Sequence, residues 1–287
     1  MRNDEILGDF DYPYIASRLR RAREHRWIER FVNGINVEGL DNLRALRGNH
    51  FVCFSNHRSH FDYVGLGYVF LQNLRVEDFP RIIAGKNLDS RILAIAGLDF
   101  SRMGAFFVDR EKIKILERQE RADYLKSIER SVLSSLAARN NFFDFVEGGR
   151  NYFSPPLERF KTGFIEHFIE ATSQQFLGID PLVLTCAVDY DRVIEEDFFP
   201  ALEFCKENFR VGYYVTDAFA FLFRPFLREG RGSMYVNFGE PKRLSQIISS
   251  DSIGTKVLQL RDYVREETAR LYAGIRTSRR GLEPLTH

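Results

Sequence analysis

The spacing of apolar and polar positions divides the chain near residue 50. Over residues 12–34, apolar side chains recur at helical intervals with arginines between them, which predicts a helix that stops at Gly34. From residue 50 onward, short β-prone runs alternate with stretches of helical periodicity. The predicted strands are His50 to Ser55, Arg81 to Gly85, Ala105 to Val108, Phe142 to Val146, Leu182 to Val188 and Met234 to Phe238. The predicted helices cover residues 60–72, 88–97, 112–139 and 160–176.

This alternation predicts an α/β fold, with a largely parallel central sheet flanked by helices and an N-terminal helical segment. In such sheets, binding and catalytic groups collect in the loops that follow the carboxyl ends of the strands. No repeat, low-complexity tract or Pro/Gly/Ser-rich linker divides the sequence after residue 45. We therefore expect a helical segment over residues 1–45 and one α/β domain over residues 46–287.

Composition narrows the class of protein. With 44% hydrophobic and 28% charged residues, the 287-residue chain is typical of globular proteins, and its net charge of +1 gives no global field for nucleic acid. Three widely spaced cysteines favour reduced thiols in a cytoplasmic protein over a disulfide framework or a cysteine metal site. We expect neither export nor a transmembrane helix, because no apolar run approaches the roughly 20 residues that a span needs.

Two features allow more than one interpretation. The arginines of residues 12–34 form either a solvated face on a packed helix, which we favour, or a basic helix that lies on anionic lipid headgroups. The 27 phenylalanines suit either a dense aromatic core or an exposed apolar surface that meets lipid.

The strongest chemical signal is a histidine five residues before an aspartate, His57 and Asp62, directly after a predicted strand. An imidazole whose one ring nitrogen is held by a carboxylate can take a proton from an alcohol near neutral pH. The pair therefore predicts a general base, His57, oriented by Asp62. Two other interpretations are a helix-capping histidine and a metal site of His57, His60 and Asp62, although no second ligand cluster follows downstream.

Arg110 follows the next candidate block, Gly104 to Val108, at the end of a predicted strand. A guanidinium in that loop can make two hydrogen bonds to one phosphate. The other interpretation is a surface ion pair of Arg110 with Asp109 or Glu111.

A third block ends another predicted strand with Glu147, Gly148, Gly149 and Arg150. The glycines let the backbone approach a ligand, and their N–H groups can face an anion beside the arginine. Lys161, after the following bend, is either a further cation of the site or part of a structural turn. The run from Pro181 to Arg192 is most simply sheet core, with the lining of an acyl-chain channel as the alternative.

Together these blocks resemble the glycerol-3-phosphate acyltransferase family, in particular its bacterial membrane-associated form, which includes dihydroxyacetone-phosphate acyltransferases. The resemblance covers roughly residues 50–242, and the blocks stand in the family's order. They are His57 to Tyr63, Gly104 to Phe107 with Arg110, Phe145 to Arg150, Pro181 to Arg192 and Tyr235 to Pro241.

The resemblance implies an O-acyltransferase of phospholipid biosynthesis, with residues 46–287 as its acyltransferase domain. It would move a fatty acyl group from acyl-CoA or acyl-ACP to the sn-1 hydroxyl of glycerol 3-phosphate, with His57 as base and Asp62 as its orienter. No metal or other cofactor is implied. The acceptor and its phosphate would be bound by Arg58, Ser59, Lys86, Arg110, Glu147, Gly148 and Arg150.

The implied partners are an acyl thioester donor, a phosphorylated polyol or lipid acceptor, an acyl carrier protein and the cytoplasmic face of the membrane, with no nucleic acid. Two departures leave the acceptor open. Asn151 and Tyr152 stand where the family has a second basic residue, and Asp109 stands where bacterial relatives often carry one. Both changes remove positive charge, so the alternatives are dihydroxyacetone phosphate, a lysophospholipid or another lipid alcohol. A protein of another class, a non-catalytic lipid or acyl-carrier binding protein, would have no need for both His57 and Asp62.

Overall fold

The structure is a computed structural model that describes residues 6–24, 26–88, 99–151, 157–173, 178–193, 195–196 and 232–280. Within these ranges the strands β1 to β8 are Ile35–Glu38, Phe51–Ser55, Arg81–Gly85, Phe106–Val108, Phe142–Phe145, Leu182–Tyr190, Met234–Phe238 and Lys242–Arg243. The helices α1 to α8 are Tyr12–Glu24, Leu40–Arg44, Phe61–Asn73, Arg110–Ile115, Arg118–Ala137, Gly163–Thr172, Leu244–Ile247 and Ile253–Arg280. Short 3₁₀ turns cover Ile28–Arg30, Val76–Asp78 and Lys86–Leu88.

The described strands form one sheet in the order β1-β7-β6-β2-β5-β3-β4, with β8 beside β6. All neighbouring pairs are parallel except β6 with β7 and β6 with β8. The central strands β2 and β5 are buried along their whole length, as parallel strands covered on both faces are. The predicted α/β fold with a largely parallel sheet and an N-terminal helix is confirmed.

Alternate residues of β2 supply the two faces of the core. Phe51 and Cys53 pack in one cluster with α1 and α3, while Val52 and Phe54 pack in the other with α5, α6 and α8. Among the described residues, ten of the twelve largest fully buried side chains are phenylalanine, so much of this residue type fills the aromatic core. Cys53 and Cys186 are buried free thiols, and Cys205 lies outside the described residues.

Several boundaries differ from the predictions. The helix predicted over 12–34 ends at Glu24 and is followed by a 3₁₀ turn. The region 112–139 holds two helices instead of one, because the backbone is extended at Leu116 and Glu117. The helix predicted over 88–97 falls almost wholly on residues outside the described part of the chain.

The segment over residues 1–45, predicted to be helical, also contributes a strand. β1 pairs in parallel with β7 along its four residues, and α1 packs against α3. The sheet therefore includes residues on both sides of residue 45. The domain boundary at that residue stays a prediction.

The topology gathers the candidate residues at one edge of the sheet. Strands β2 to β5 run parallel, so their carboxyl ends lie together and deliver His57, Lys86, Arg110 and the block from Glu147 to Arg150 to the same edge. Strand β6 is parallel to β2, and its last residue, Tyr190, reaches this edge as well. In the described part of the chain, no helix combines the length and apolar character needed to cross a bilayer.

Candidate active site

His57 and Asp62 meet in the turn between β2 and α3. The Nδ1 atom of His57 lies 2.8 Å from Oδ2 of Asp62, and both side chains are buried. The same Oδ2 accepts the backbone N–H groups of Arg58 at 2.6 Å and Ser59 at 3.0 Å. Because Asp62 stands in the first turn of α3, its carboxylate also lies at the favourable end of the helix dipole. The same carboxylate therefore stabilises the turn and orients the imidazole.

The hydrogen bonds around Asp62 determine which nitrogen of His57 can act as a base. The Tyr190 hydroxyl donates to Oδ1, so the carboxylate accepts hydrogen bonds on both oxygens. Nδ1 of the neutral ring then carries the proton that it donates, which leaves the Nε2 lone pair to accept another. Burial lowers the pKa of His57, the hydrogen bond that His57 donates to Asp62 opposes that shift, and Arg150 lowers the pKa further. The ring is therefore kept neutral at neutral pH.

Aromatic side chains hold the plane of the imidazole. The ring stacks on Phe145 with centroids 4.1 Å apart, and Tyr63 meets it edge-on at 5.1 Å. Burial raises the pKa of Tyr63 far above its usual value, so this wall of the site stays neutral. A ring packed in this way has one orientation in which to receive a proton.

Arg110 begins α4 directly after β4 and reaches the loop that follows β5. Its guanidinium donates to the carbonyl oxygen of Gly148, and Asp109 caps α4 by accepting the N–H of Lys112 at 2.9 Å. Gly148 has a φ of +65°, and a Cβ there would lie 2.7 Å from Cγ of Lys161. Arg110, Gly148 and Lys161 thus converge, and Lys161 is placed beside the predicted cations.

Arg150 is a second arginine whose charge acts on the histidine. Its side chain is buried, with NH1 3.6 Å from Oε1 of Glu195. Its positive charge lowers the pKa values of both His57 and Tyr63, and the charge of Arg110 also lowers that of Tyr63. Both arginines therefore act on the same tyrosine beside the imidazole.

Glu147 ties two loops together. Its Oε2 accepts the N–H of His57 at 2.7 Å, and its Oε1 accepts the N–H of Leu157 at 2.9 Å and the amide of Asn151 at 3.1 Å. Asn151 in turn donates its N–H to the carbonyl oxygen of His57 at 2.8 Å. Burial raises the pKa of Glu147. The acidic side chain and the residue that departs from the family pattern both support the histidine loop.

Three further predicted residues also have partners within the protein. Arg58 donates to the carbonyl oxygen of Asn151 at 2.7 Å, and the Ser59 hydroxyl donates to Glu195 at 2.7 Å. Nζ of Lys86 lies 5.2 Å from the centroid of the Phe107 ring. That these residues or Glu147 contact an acceptor stays a prediction.

Sequence patterns missed three residues at this edge. Tyr190 is the last residue of β6, and Glu195 follows shortly after the strand. Both are buried beneath the histidine turn. The third, Asp144, is a buried carboxyl group in β5, where burial raises its pKa to about 7 although Arg110 opposes the shift. A polar residue inside the apolar run from Phe142 to Val146 is a signal that could have indicated Asp144.

Within the described ranges, no three His, Cys, Asp or Glu side chains gather into a set that could hold a metal ion. The site instead consists of a histidine–aspartate pair flanked by two arginines at the carboxyl edge of a parallel sheet. Side chains of these types in this arrangement can support proton transfer beside a bound anion.

Comparison with known proteins identifies the family. A family model described as "Acyltransferase" matches residues 34–192, and the chain belongs to this acyltransferase family. Over 270 residues it is 32% identical to the glycerol-3-phosphate acyltransferase of Histophilus somni, and over 256 residues it is 33% identical to that of Pasteurella multocida. These alignments cover 91% and 86% of this chain but only 30% and 28% of the relatives. The resemblance found in the motifs is confirmed.

A solved structure agrees at the level of the fold. The crystal structure of the 1-acyl-sn-glycerophosphate (LPA) acyltransferase from Thermotoga maritima superposes with a TM-score of 0.51. The match covers 92% of this chain and 81% of that one at 14% sequence identity. It supports the same α/β architecture.

Proposed function

We propose that the chain is an O-acyltransferase that moves a fatty acyl group from an acyl thioester to the sn-1 hydroxyl of glycerol 3-phosphate. The observation that carries the proposal is the 2.8 Å contact between His57 and Asp62, made beside Arg110 and Arg150. The names of the bacterial relatives, which are longer glycerol-3-phosphate acyltransferases, support the choice of acceptor.

In the proposed reaction, Nε2 of His57 takes the proton of the acceptor hydroxyl as its oxygen attacks the thioester carbonyl. Asp62 stabilises the imidazolium that forms. When the tetrahedral intermediate collapses, the imidazolium gives its proton to the departing thiol. General base catalysis contributes about 10²- to 10⁴-fold, so positioning of the two substrates must supply much of the remaining acceleration. The thioester is already activated, so the proposal needs no cofactor.

The phosphate of the acceptor is assigned to Arg110 and Arg150, with Lys161 as a third cation. The residues at the two departures from the family pattern have structural roles instead, because Asp109 caps α4 and Asn151 binds the histidine loop. Neither position supplies positive charge, so the acceptor relies on fewer cations than the family pattern has. Dihydroxyacetone phosphate and lysophospholipids are the competing acceptors for this site.

Release of free thiol from palmitoyl-CoA or palmitoyl-ACP, measured with each acceptor in turn, tests the proposal. We expect glycerol 3-phosphate to stimulate release most, and His57→Ala to lose at least about 10²-fold in turnover while keeping its circular dichroism spectrum. The matched control is His167→Ala, on α6 and paired with Glu170. Stimulation by another alcohol alone would replace glycerol 3-phosphate as the acceptor, and full activity of His57→Ala would refute His57 as the base. No thiol release from the wild type with any acceptor would favour a binding protein.

We also propose peripheral association with the cytoplasmic face of the membrane through α1, which is the alternative to the solvated arginine face that the sequence pattern favours. Arg20, Arg21 and Arg23 are exposed on this helix, as contact with anionic headgroups requires. Replacing all three with glutamate should reduce co-sedimentation with phosphatidylglycerol vesicles. Unchanged co-sedimentation would instead support the solvated arginine face.

A further inference from the structure

A buried hydrogen-bond network continues behind the histidine–aspartate pair. The Tyr190 hydroxyl donates to Oδ1 of Asp62. Glu195, fully buried, accepts the Ser59 hydroxyl on Oε2 and the N–H of His60 on Oε1, both at 2.7 Å. None of the sequence patterns that indicate the site includes Tyr190 or Glu195 in a catalytic or binding role.

We propose that Tyr190 and Glu195 are positioning residues of the acyl-transfer site. Tyr190 sets the carboxylate that orients the base, and Glu195 sets the guanidinium of Arg150. The inference rests on the proposed function. It means that the end of β6 and the residues that follow it support both the base and the cation of the site.

The role of Tyr190 follows from the donors around Asp62. Oδ2 receives Nδ1 of His57 and two backbone N–H groups, whereas Oδ1 receives the Tyr190 hydroxyl. Without that hydroxyl, a buried charged oxygen loses a donor, which is costly, and the carboxylate gains freedom to rotate. Rotation changes the direction of the hydrogen bond that holds His57.

The role of Glu195 follows from its burial. A buried carboxylate persists only when hydrogen bonds and an opposite charge compensate it, and Glu195 has both. The opposite charge is Arg150, whose NH1 lies 3.6 Å from Oε1. Arg150 is also close enough to His57 to lower the pKa of the ring. Glu195 therefore fixes a cation that lies near the base and is assigned to the acceptor phosphate.

Ser59 joins the two positioning residues. Its hydroxyl donates to Glu195 and also interacts with the Tyr190 hydroxyl. Because Tyr190 and Glu195 are five residues apart in one segment, a shift of that segment moves the supports of the base and of the cation together. This shared support gives the buried polar groups behind the histidine–aspartate pair a role that apolar side chains in their place would not have.

The kinetic test separates the two roles. With palmitoyl-CoA saturating, Tyr190→Phe should lower kcat about ten- to a hundredfold, the range for a hydrogen bond to a charged group, and leave the KM for glycerol 3-phosphate unchanged. Glu195→Gln should raise that KM about tenfold and change kcat less. The matched controls, Tyr235→Phe and Glu196→Gln, alter an exposed tyrosine–carboxylate bond and an exposed neighbouring glutamate, and should behave as wild type.

A double variant guards against a simple loss of folding. Removing Glu195 alone leaves Arg150 buried without this counterion, whereas Glu195→Gln combined with Arg150→Gln removes both charges. If Glu195 acts through Arg150, the double variant should have the same KM as Arg150→Gln alone. Additive effects, or kcat and KM unchanged in both single variants, would overturn the inference.

Two binding and spectroscopic measurements test the positioning roles of Tyr190 and Glu195 even if the wild-type protein does not acylate glycerol 3-phosphate. In protein labelled with ¹⁵N-histidine, the His57 signal should report one tautomer in the wild type and a mixture in Tyr190→Phe, with His57→Ala identifying the signal. Calorimetric binding of inorganic phosphate should weaken about tenfold in Glu195→Gln. An unchanged tautomer and unchanged phosphate affinity would refute the positioning roles, whereas inactivity of the wild type alone would refute only the proposed function.

Discussion

The two halves of the candidate site are built in different ways. The base half lies within eight consecutive residues, Ser55 to Asp62, and its main hydrogen bonds join neighbours in that turn. The cationic half brings Arg110 from the end of β4 to Arg150 from the loop after β5, and it depends on Glu195 from beyond β6. If the proposed function holds, proton transfer depends on a local unit, whereas recognition of the acceptor depends on long-range packing.

The largest effect should come from breaking the local unit at Asp62. In Asp62→Asn, the amide can donate to Nδ1 of His57 and so favour the tautomer with the proton on Nε2, the nitrogen that has to accept. We expect kcat to fall about 10³-fold, with little change in the acceptor KM. Thiol release from palmitoyl-CoA measures both. Asp180→Asn, an exposed carboxylate bonded to Ser245, is the control, and a tenfold or smaller loss would contradict the assigned role.

The cationic half should respond in KM rather than in kcat. Arg150→Gln and Arg110→Gln each remove a charge assigned to the acceptor phosphate, and each should raise the KM for glycerol 3-phosphate about ten- to a hundredfold. Arg118→Gln, on the exposed start of α5, is the matched control. If the acceptor is an uncharged alcohol instead, both arginine variants will leave its KM unchanged.

The same contrast explains how far the sequence could predict this molecule. Strands β2, β3 and β5 and the histidine turn were predictable, because apolar runs and local spacing determine them. Strand β1 is short and alternates half-buried and exposed positions at the sheet edge, which gives a weak signal. Glu195 stands in a polar stretch, and its partners Ser59 and His60 are 136 and 135 residues away, so no local pattern marks it.

A backbone change in the loop after β5 should perturb the cationic half of the site without removing any charge. At Gly148 the φ of +65° disfavours a side chain, and a Cβ would meet Lys161 at 2.7 Å, whereas nothing lies within 4 Å of a Cβ at Gly149. Gly148→Ala should therefore lower the free energy of unfolding by about 1–2 kcal/mol and raise the acceptor KM. Gly149→Ala should do neither. Urea denaturation measures the first effect, and equal stabilities would show that the loop absorbs the strain.

The smallest expected effect concerns the charge beneath the cationic half. The pKa of Asp144 is raised to about 7 by burial, so this carboxyl group is neutral in mild acid and becomes negative as the pH rises through that value. Its negative charge offsets part of the positive charge of Arg110. The wild-type KM for glycerol 3-phosphate should therefore rise about threefold between pH 6 and 8 relative to Asp144→Asn, a modest change because solvent screens the interaction.

Comparing the wild type with Asp144→Asn separates the effect of Asp144 from that of the acceptor, because the acceptor phosphate ionises over the same pH range in both measurements. Asp123→Asn, an exposed residue of α5, should keep the wild-type profile. The folded-state pKa of Asp144 is raised from 3.8 to about 7, so its contribution to stability is complete below the unfolded value and is lost as the pH rises from about 4 through about 7. Asp144→Asn should accordingly flatten the fall of the melting temperature over that interval. Parallel KM and melting profiles for wild type and Asp144→Asn would mean that the carboxyl group ionises at an ordinary pKa and exerts no control over acceptor binding.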